Sequence, residues 1–116
     1  MNDSAKSPDL RRECQWHSIA GPLLVHFRTP WCGQCQLLAA SLEALSGELE
    51  GRLDIREVNL DQHPELSEQF GLHRVPTLIL FDQGTPIGRF DGMPAREELR
   101  VRLRGLLADY STTPGP

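Results

Sequence analysis

A chain of 116 residues, 39% hydrophobic and 24% charged, is long enough to fold as one domain around its own core without disulfide staples. A formal net charge of −4 argues against nucleic acid as the main partner, and no apolar run approaches the roughly 20 residues of a membrane span. Three cysteines, two of them paired by spacing, suit a reducing cytoplasm better than a disulfide-framed secreted fold, and Met1 to Arg12 holds no apolar segment of the secretory kind.

Residues 1–8 are polar and aperiodic and are expected to fray, leaving 9–110 as the folded domain and 111–116 as a loose tail. A short helix is predicted from Asp9 to Ile19, capped by Asp9, with Leu10, Cys14 and Ile19 turned inward and Gly21-Pro22 ending it. Leu23-Leu24-Val25-His26-Phe27 is an apolar run of strand length. Residues 33–49 carry Leu38, Leu42, Leu45 and Leu49 at intervals of three and four, which is helical spacing, and Gly51 closes them. Leu53 to Val58 alternates apolar and polar over part of its length, as a half-buried strand does. Asp61 is placed to cap a short helix begun by Pro64 and stopped at Gly71. Thr77 to Phe81 is a second near-continuous apolar strand, and Asp82-Gln83-Gly84 turns the chain into Ile87–Phe90. Gly92 breaks that strand, Pro94 opens the last helix, and Leu99, Leu103, Leu106 and Leu107 give it an apolar face. The class is therefore α/β: a central mixed β-sheet flanked by helices, with a parallel pair joined by crossover helices and a closing antiparallel hairpin.

Between the first strong strand and its helix stands Trp31-Cys32-Gly33-Gln34-Cys35. Two cysteines at this spacing, opening a helix, sit close enough to alternate between a dithiol and an intramolecular disulfide. The helix N-terminus also stabilises a thiolate on the first of them, and the thiolate is the form that attacks disulfides. A redox pair of this spacing belongs at such a strand-to-helix junction, so the residues point to thiol–disulfide exchange. A zinc site is not expected from one such pair, with His17, His63 and His73 scattered without ligand spacing. No cofactor is expected beyond the Cys32–Cys35 disulfide itself.

From about Gly21 to Leu107 the chain resembles the thioredoxins. Trp31-Cys32-Gly33-Gln34-Cys35 is similar to that family's active-site motif, Val75-Pro76-Thr77 to its cis-proline loop, and Asn59-Leu60-Asp61-Gln62 to its central turn. Gly84 and Gly92 fall where the family has a hairpin turn and a glycine beside the active site. The resemblance implies the thioredoxin fold and a protein-disulfide reductase in which Cys32 is the nucleophile and Cys35 the buried resolving thiol. It also implies a docking surface of Trp31, Gly33, Gln34, Arg74, Val75, Pro76, Gly92 and Met93, with client main chain pairing near Val75. The implied partners are disulfide-bearing client proteins and an external reductase as electron donor, with no nucleic acid or membrane. The protein is expected to be a cytoplasmic monomer.

Departures from the family pattern carry further expectations. The family buries an Asp where this chain has His26 and often has a Lys where it has Glu57, so the pair is charge-inverted. On one reading His26, assisted by Glu57, is general base and acid for Cys35, and Glu57 favours the protonated ring. On the other, His26 is a buried histidine satisfied by the main chain while Glu57 faces solvent. Gln34 replaces the family's usual proline, which implies a potential somewhat above thioredoxin's roughly −270 mV. Arg28 and Arg74 flank the motif, where they would lower the pKa of Cys32 and favour acidic clients, or else be solvated surface arginines. Gln36 stands where the family often has Lys, and Arg74 where it often has glycine. Cys14 reads as a small buried apolar residue, and the arginines of the last helix as a solvated face. No apolar strand precedes Asp9, so the family's first edge strand is missing or too polar to recognise. Rival functions are an oxidant or isomerase on the same fold, and a non-catalytic binding or chaperone module.

Overall fold

The structure, a computed structural model, describes residues 22–49 and 53–111. Its elements in chain order are β1 (Leu23–Arg28), α1 (Gly33–Leu49), β2 (Asp54–Asn59), α2 (Glu65–Gln69), β3 (Thr77–Asp82), β4 (Thr85–Asp91) and α3 (Arg96–Ser111). The four strands form one sheet in the order β2-β1-β3-β4. β1 lies parallel to β2, from Leu23 opposite Asp54 to Arg28 opposite Asn59, and antiparallel to β3, with Leu23 opposite Phe81. The expected helix 9–19 with its Asp9 cap, Cys14, His17, Gly21, Gly51, the 1–8 tail and the first edge strand all fall outside the described residues.

Strand alternation divides the interior in two. Leu24 of β1, with Leu78 and Leu80 of β3, packs against Leu38, Leu42, Leu45 and Leu49 of α1 and Leu99, Leu103 and Leu107 of α3. The odd-numbered Leu23, Val25, Phe27, Ile79 and Phe81 point the other way, onto Leu66 of α2, Leu60 and Leu72. Phe70 joins that second core, its ring centroid 5.8 Å from each of Phe27 and Phe81. Two buried faces are why β1 and β3 read as unbroken apolar runs, whereas the outer strand β2 sends only Ile55 to the first core and Val58 to the second and is otherwise exposed or half-exposed.

The β3–β4 hairpin turns at Gln83 and Gly84, whose φ values of 54° and 84° suit a tight two-residue turn. Past the turn the register slips between Leu80 and Phe81, so that Phe81 lies opposite Pro86 and Leu80 opposite Gly88. Pro86 has no N–H to give a ladder, and a bulge on an outer strand is where it fits.

Several element boundaries differ from the sequence-based expectation: β4 runs from Thr85 to Asp91 rather than from Ile87 to Phe90, and α2 ends at Gln69, ahead of Gly71. β2 begins at Asp54, with Leu53 buried just ahead of it. α2 is not capped by Asp61: its N-cap is Pro64, without a side-chain hydrogen bond, and the Asp61 N–H is taken instead by Asn59 Oδ1 at 2.9 Å. α3 starts at Arg96, two residues after Pro94, and continues through Ser111.

Candidate active site

Phe27 of β1 lies opposite Thr77 of β3, and Thr77 lies opposite Asp91 of β4. The loops attached to these three residues therefore meet at one end of the sheet. They are Thr29–Cys32 after β1, Arg74–Pro76 before β3, and Gly92-Met93 after β4.

Cys32 immediately precedes α1, and its Sγ accepts the N–H of Cys35 at 3.0 Å, as a thiolate at a helix N-terminus would. The Cys32 N–H in turn donates to the Thr29 carbonyl at 3.3 Å. A disulfide joins Cys32 and Cys35, with Cα atoms 5.2 Å apart. Cys32 is half-buried while Cys35 is fully buried, so a large reactant reaches the first sulfur and not the second. Trp31 is 73% exposed beside it, and Gly33 and Gln34 are exposed on the first turn of α1.

Pro76 is buried behind a half-buried Val75, and the peptide between them is cis. Gly92, at φ 85°, donates its N–H to the Pro76 carbonyl at 2.9 Å, and Met93 is partly exposed next to it. A network absent from the sequence-based expectations holds this loop. The Arg89 guanidinium donates to the carbonyls of Phe70 and Gly71 at 2.6 and 2.7 Å, and its Nε to Asp91 Oδ1 at 3.0 Å. The Thr77 hydroxyl lies 3.4 Å from the same Asp91 oxygen and donates to the Arg74 carbonyl at 2.8 Å. Both ends of the segment from Gly71 to Thr77 are thus tied to β4. Arg89→Ala is expected to lower unfolding free energy by about 1–3 kcal/mol in urea denaturation. Arg89→Lys recovers only part of that, because a lysine lacks the guanidinium fork.

His26 extends from β1 to the same side of the sheet as Leu24, the side covered by α1, and is fully buried. Neither ring nitrogen has a hydrogen-bond partner among the described residues, so the main-chain bond of the alternative reading is not made. Glu57, its partner in the parallel register, brings Oε2 to 3.7 Å from His26 Nδ1. Burial pushes the imidazole pKa down from 6.5 to about 4; Glu57 pulls it up and Arg28 pushes it further down. Glu57 therefore does favour the protonated ring, but desolvation outweighs it and the ring is neutral at pH 7. Glu57 itself is 46% exposed, its two oxygens each 3.3 Å from Arg28 Nη1. It also lines a cavity of about 480 Å³ between α1 and β2, with Ala39, Glu43 and Ile55. The charge of Arg28 is thus spent on Glu57 rather than held for Cys32.

A second groove, of about 330 Å³, adjoins the disulfide; Trp31, Leu60, Asp61, Leu72, Arg74 and Val75 are among its lining residues. Among the described residues no cluster of three metal-ligating side chains occurs, and His63 lies instead 3.7 Å from Glu65.

Comparison with known proteins gives a consistent result. The family model described as thioredoxin matches residues 14–104. The chain is 36% identical over 86 residues to the thioredoxin of Alicyclobacillus acidocaldarius, covering 74% of this chain and 82% of that one. It is 41% identical over 83 residues to the thioredoxin of Chlamydia caviae, covering 72% and 79% respectively. Among solved structures, a mutant thioredoxin from Halobacterium salinarum superposes with a TM-score of 0.65 at 27% identity, covering 72% of this chain and 73% of that one.

Proposed function

Since the chain belongs to the thioredoxin family, we propose that Cys32 is its attacking thiolate and Cys35 its resolving thiol. The protein is a thiol–disulfide oxidoreductase that reduces protein disulfides through this pair. The observation that supports the division of roles is the asymmetry of the two sulfurs, one reachable at a helix N-terminus and one buried behind it.

In the reduced enzyme Cys32 attacks one sulfur of a client disulfide, forming a mixed disulfide and expelling the other client sulfur as a thiolate. Cys35, once deprotonated, attacks Cys32 Sγ, expels the second client sulfur and leaves the Cys32–Cys35 disulfide. The client has gained two electrons and two protons. An external reductase then returns two electrons to the pair. Trp31, Gly33, Gln34, Arg74, Val75, Pro76, Gly92 and Met93 form the docking surface, with an extended client segment pairing to main chain at Val75. The protein works in the cytoplasm, a reading supported by its cysteine usage, and acts as a monomer.

His26 accepts the Cys35 proton and Glu57, open to solvent, discharges it. Because burial lowers the imidazole pKa to about 4, the imidazolium formed by that transfer is transient. The resolution step of His26→Ala is expected to slow and to change its pH profile in single-turnover release from a trapped mixed disulfide. An unchanged profile would end the base role.

The deciding experiment for the function is the equilibrium potential of the pair, read by thiol trapping in dithiothreitol and glutathione buffers. With Gln34 in place of proline, a value somewhat above roughly −270 mV is expected. A value near −180 mV would mark an oxidant or isomerase instead. Failure to form a reversible disulfide at any poise would leave a binding module.

A further inference from the structure

The groove beside the disulfide is lined in part by the apolar Trp31, Leu60, Leu72 and Val75, and Arg74, Asp61 and His73 also line it. Arg74 is exposed, and among the described residues no hydrogen bond or ion pair engages its guanidinium. Most of the other described arginines are occupied: Arg28 pairs with Glu57, Arg89 with Asp91, Arg100 and Arg104 with Glu48, and Arg102 lies 4.1 Å over the Phe90 ring, whereas the exposed Arg96 shares Arg74's lack of a partner but stands outside the groove. A free cation in a chain of net charge −4 is thus set at the rim of the docking groove.

Its position is built. The Arg74 carbonyl is held by the Thr77 hydroxyl at 2.8 Å. Its side chain lies across Gly92, with Nη1 3.0 Å and Cδ 3.6 Å from where a Cβ on residue 92 would stand. A glycine at that point, with its φ of 85°, leaves the space the arginine occupies. Arg74 also immediately precedes Val75, where client main chain is proposed to pair, so a residue flanking the client's reacting cysteine passes within reach of the guanidinium. Asp61 lines the same groove but belongs to the turn after β2, and it is not paired with Arg74.

We propose that Arg74 is a specificity determinant that selects client segments carrying a carboxylate next to the disulfide cysteine. The proposal rests on the reductase reading above. A guanidinium recognises a carboxylate with two parallel N–H donors and at long range steers acidic segments to the groove.

The test compares kcat/KM for disulfide-bonded peptides that are identical except for Glu, Gln or Lys at the two residues flanking one cysteine. The wild-type enzyme is expected to favour Glu over Gln by about three- to fivefold, in the range of a single solvent-exposed ion pair, with Lys poorest. The preference shrinks in 0.5 M salt. In Arg74→Gln the Glu-to-Gln ratio falls to about one, and in Arg74→Glu the order inverts in favour of Lys. Circular dichroism of each variant confirms that a changed ratio is not a changed fold. Equal rates for all three peptides with the wild-type enzyme, or an unchanged ratio in Arg74→Gln, would overturn the Arg74 assignment and leave the reductase reading intact. If the wild-type enzyme reduced none of the peptides, both would fall.

Discussion

Cys32→Ser is expected to reduce turnover of protein disulfides to the background of the thiol donor alone, while Cys35→Ser accumulates a covalent adduct with its client. The two outcomes differ because the proposed roles of the two sulfurs differ, one half-buried at the helix N-terminus and one fully buried. A serine hydroxyl at position 32 is not ionised near neutral pH, so the N–H of Cys35 and the N-terminus of α1 have no thiolate to stabilise. Attack on the client then never begins. With Cys35→Ser the first displacement proceeds, but nothing buried behind Cys32 resolves the mixed disulfide. Non-reducing electrophoresis with a disulfide-bonded client reads both results, a mass shift in the second variant and none in the first. An adduct formed by Cys32→Ser through Cys35 would reverse the assignment of nucleophile.

The second large effect is on stability at acid pH. The His26 pKa is lowered from 6.5 to about 4 in the folded protein, chiefly because burial disfavours the charged ring. Above pH 6.5 the imidazole is neutral in both states and contributes no pH dependence. Between 6.5 and 4 the unfolded chain binds a proton that the folded protein refuses, so stability falls as pH falls through that window. Below about 4 the loss attributable to this group reaches on the order of 3 kcal/mol. Urea denaturation of the wild type and of His26→Leu across pH 4 to 7 isolates it, since the surface carboxylates are common to both. The wild-type curve is expected to drop more steeply. Parallel curves would mean that the ring is not held neutral by its surroundings.

Much of this architecture was legible in the residues, for reasons that also explain what was not. β1 and β3 are buried on both faces, so Leu23–Phe27 and Thr77–Phe81 stand out as continuous apolar runs. α1 packs one face only, and its leucines keep the helical interval. The cysteine pair and Pro76 were visible because a short motif carries them. Asp61 misled because a carboxylate ahead of a helix resembles a cap, whereas its own N–H is drawn back to Asn59. Arg89 was invisible because its carbonyl partners lie 18 and 19 positions away, across a contact that no local pattern encodes. The meeting of His26 and Glu57 could be suspected from the family pattern, but the balance between burial and attraction required the packing around the ring.

Pro86 and the register slip beside it bear on a different matter, the protein's tolerance of its own clients. If clients pair to it through main chain, as proposed, the protein meets extended segments that could also add to an open strand edge. β4 is the outer strand on its side of the described sheet, and a regular ladder there would offer such segments a second place to add. The missing N–H of Pro86 and the bulge across from Phe81 interrupt that template. Strand addition is thereby discouraged at that edge and left to the loop beside the disulfide, where client pairing is proposed.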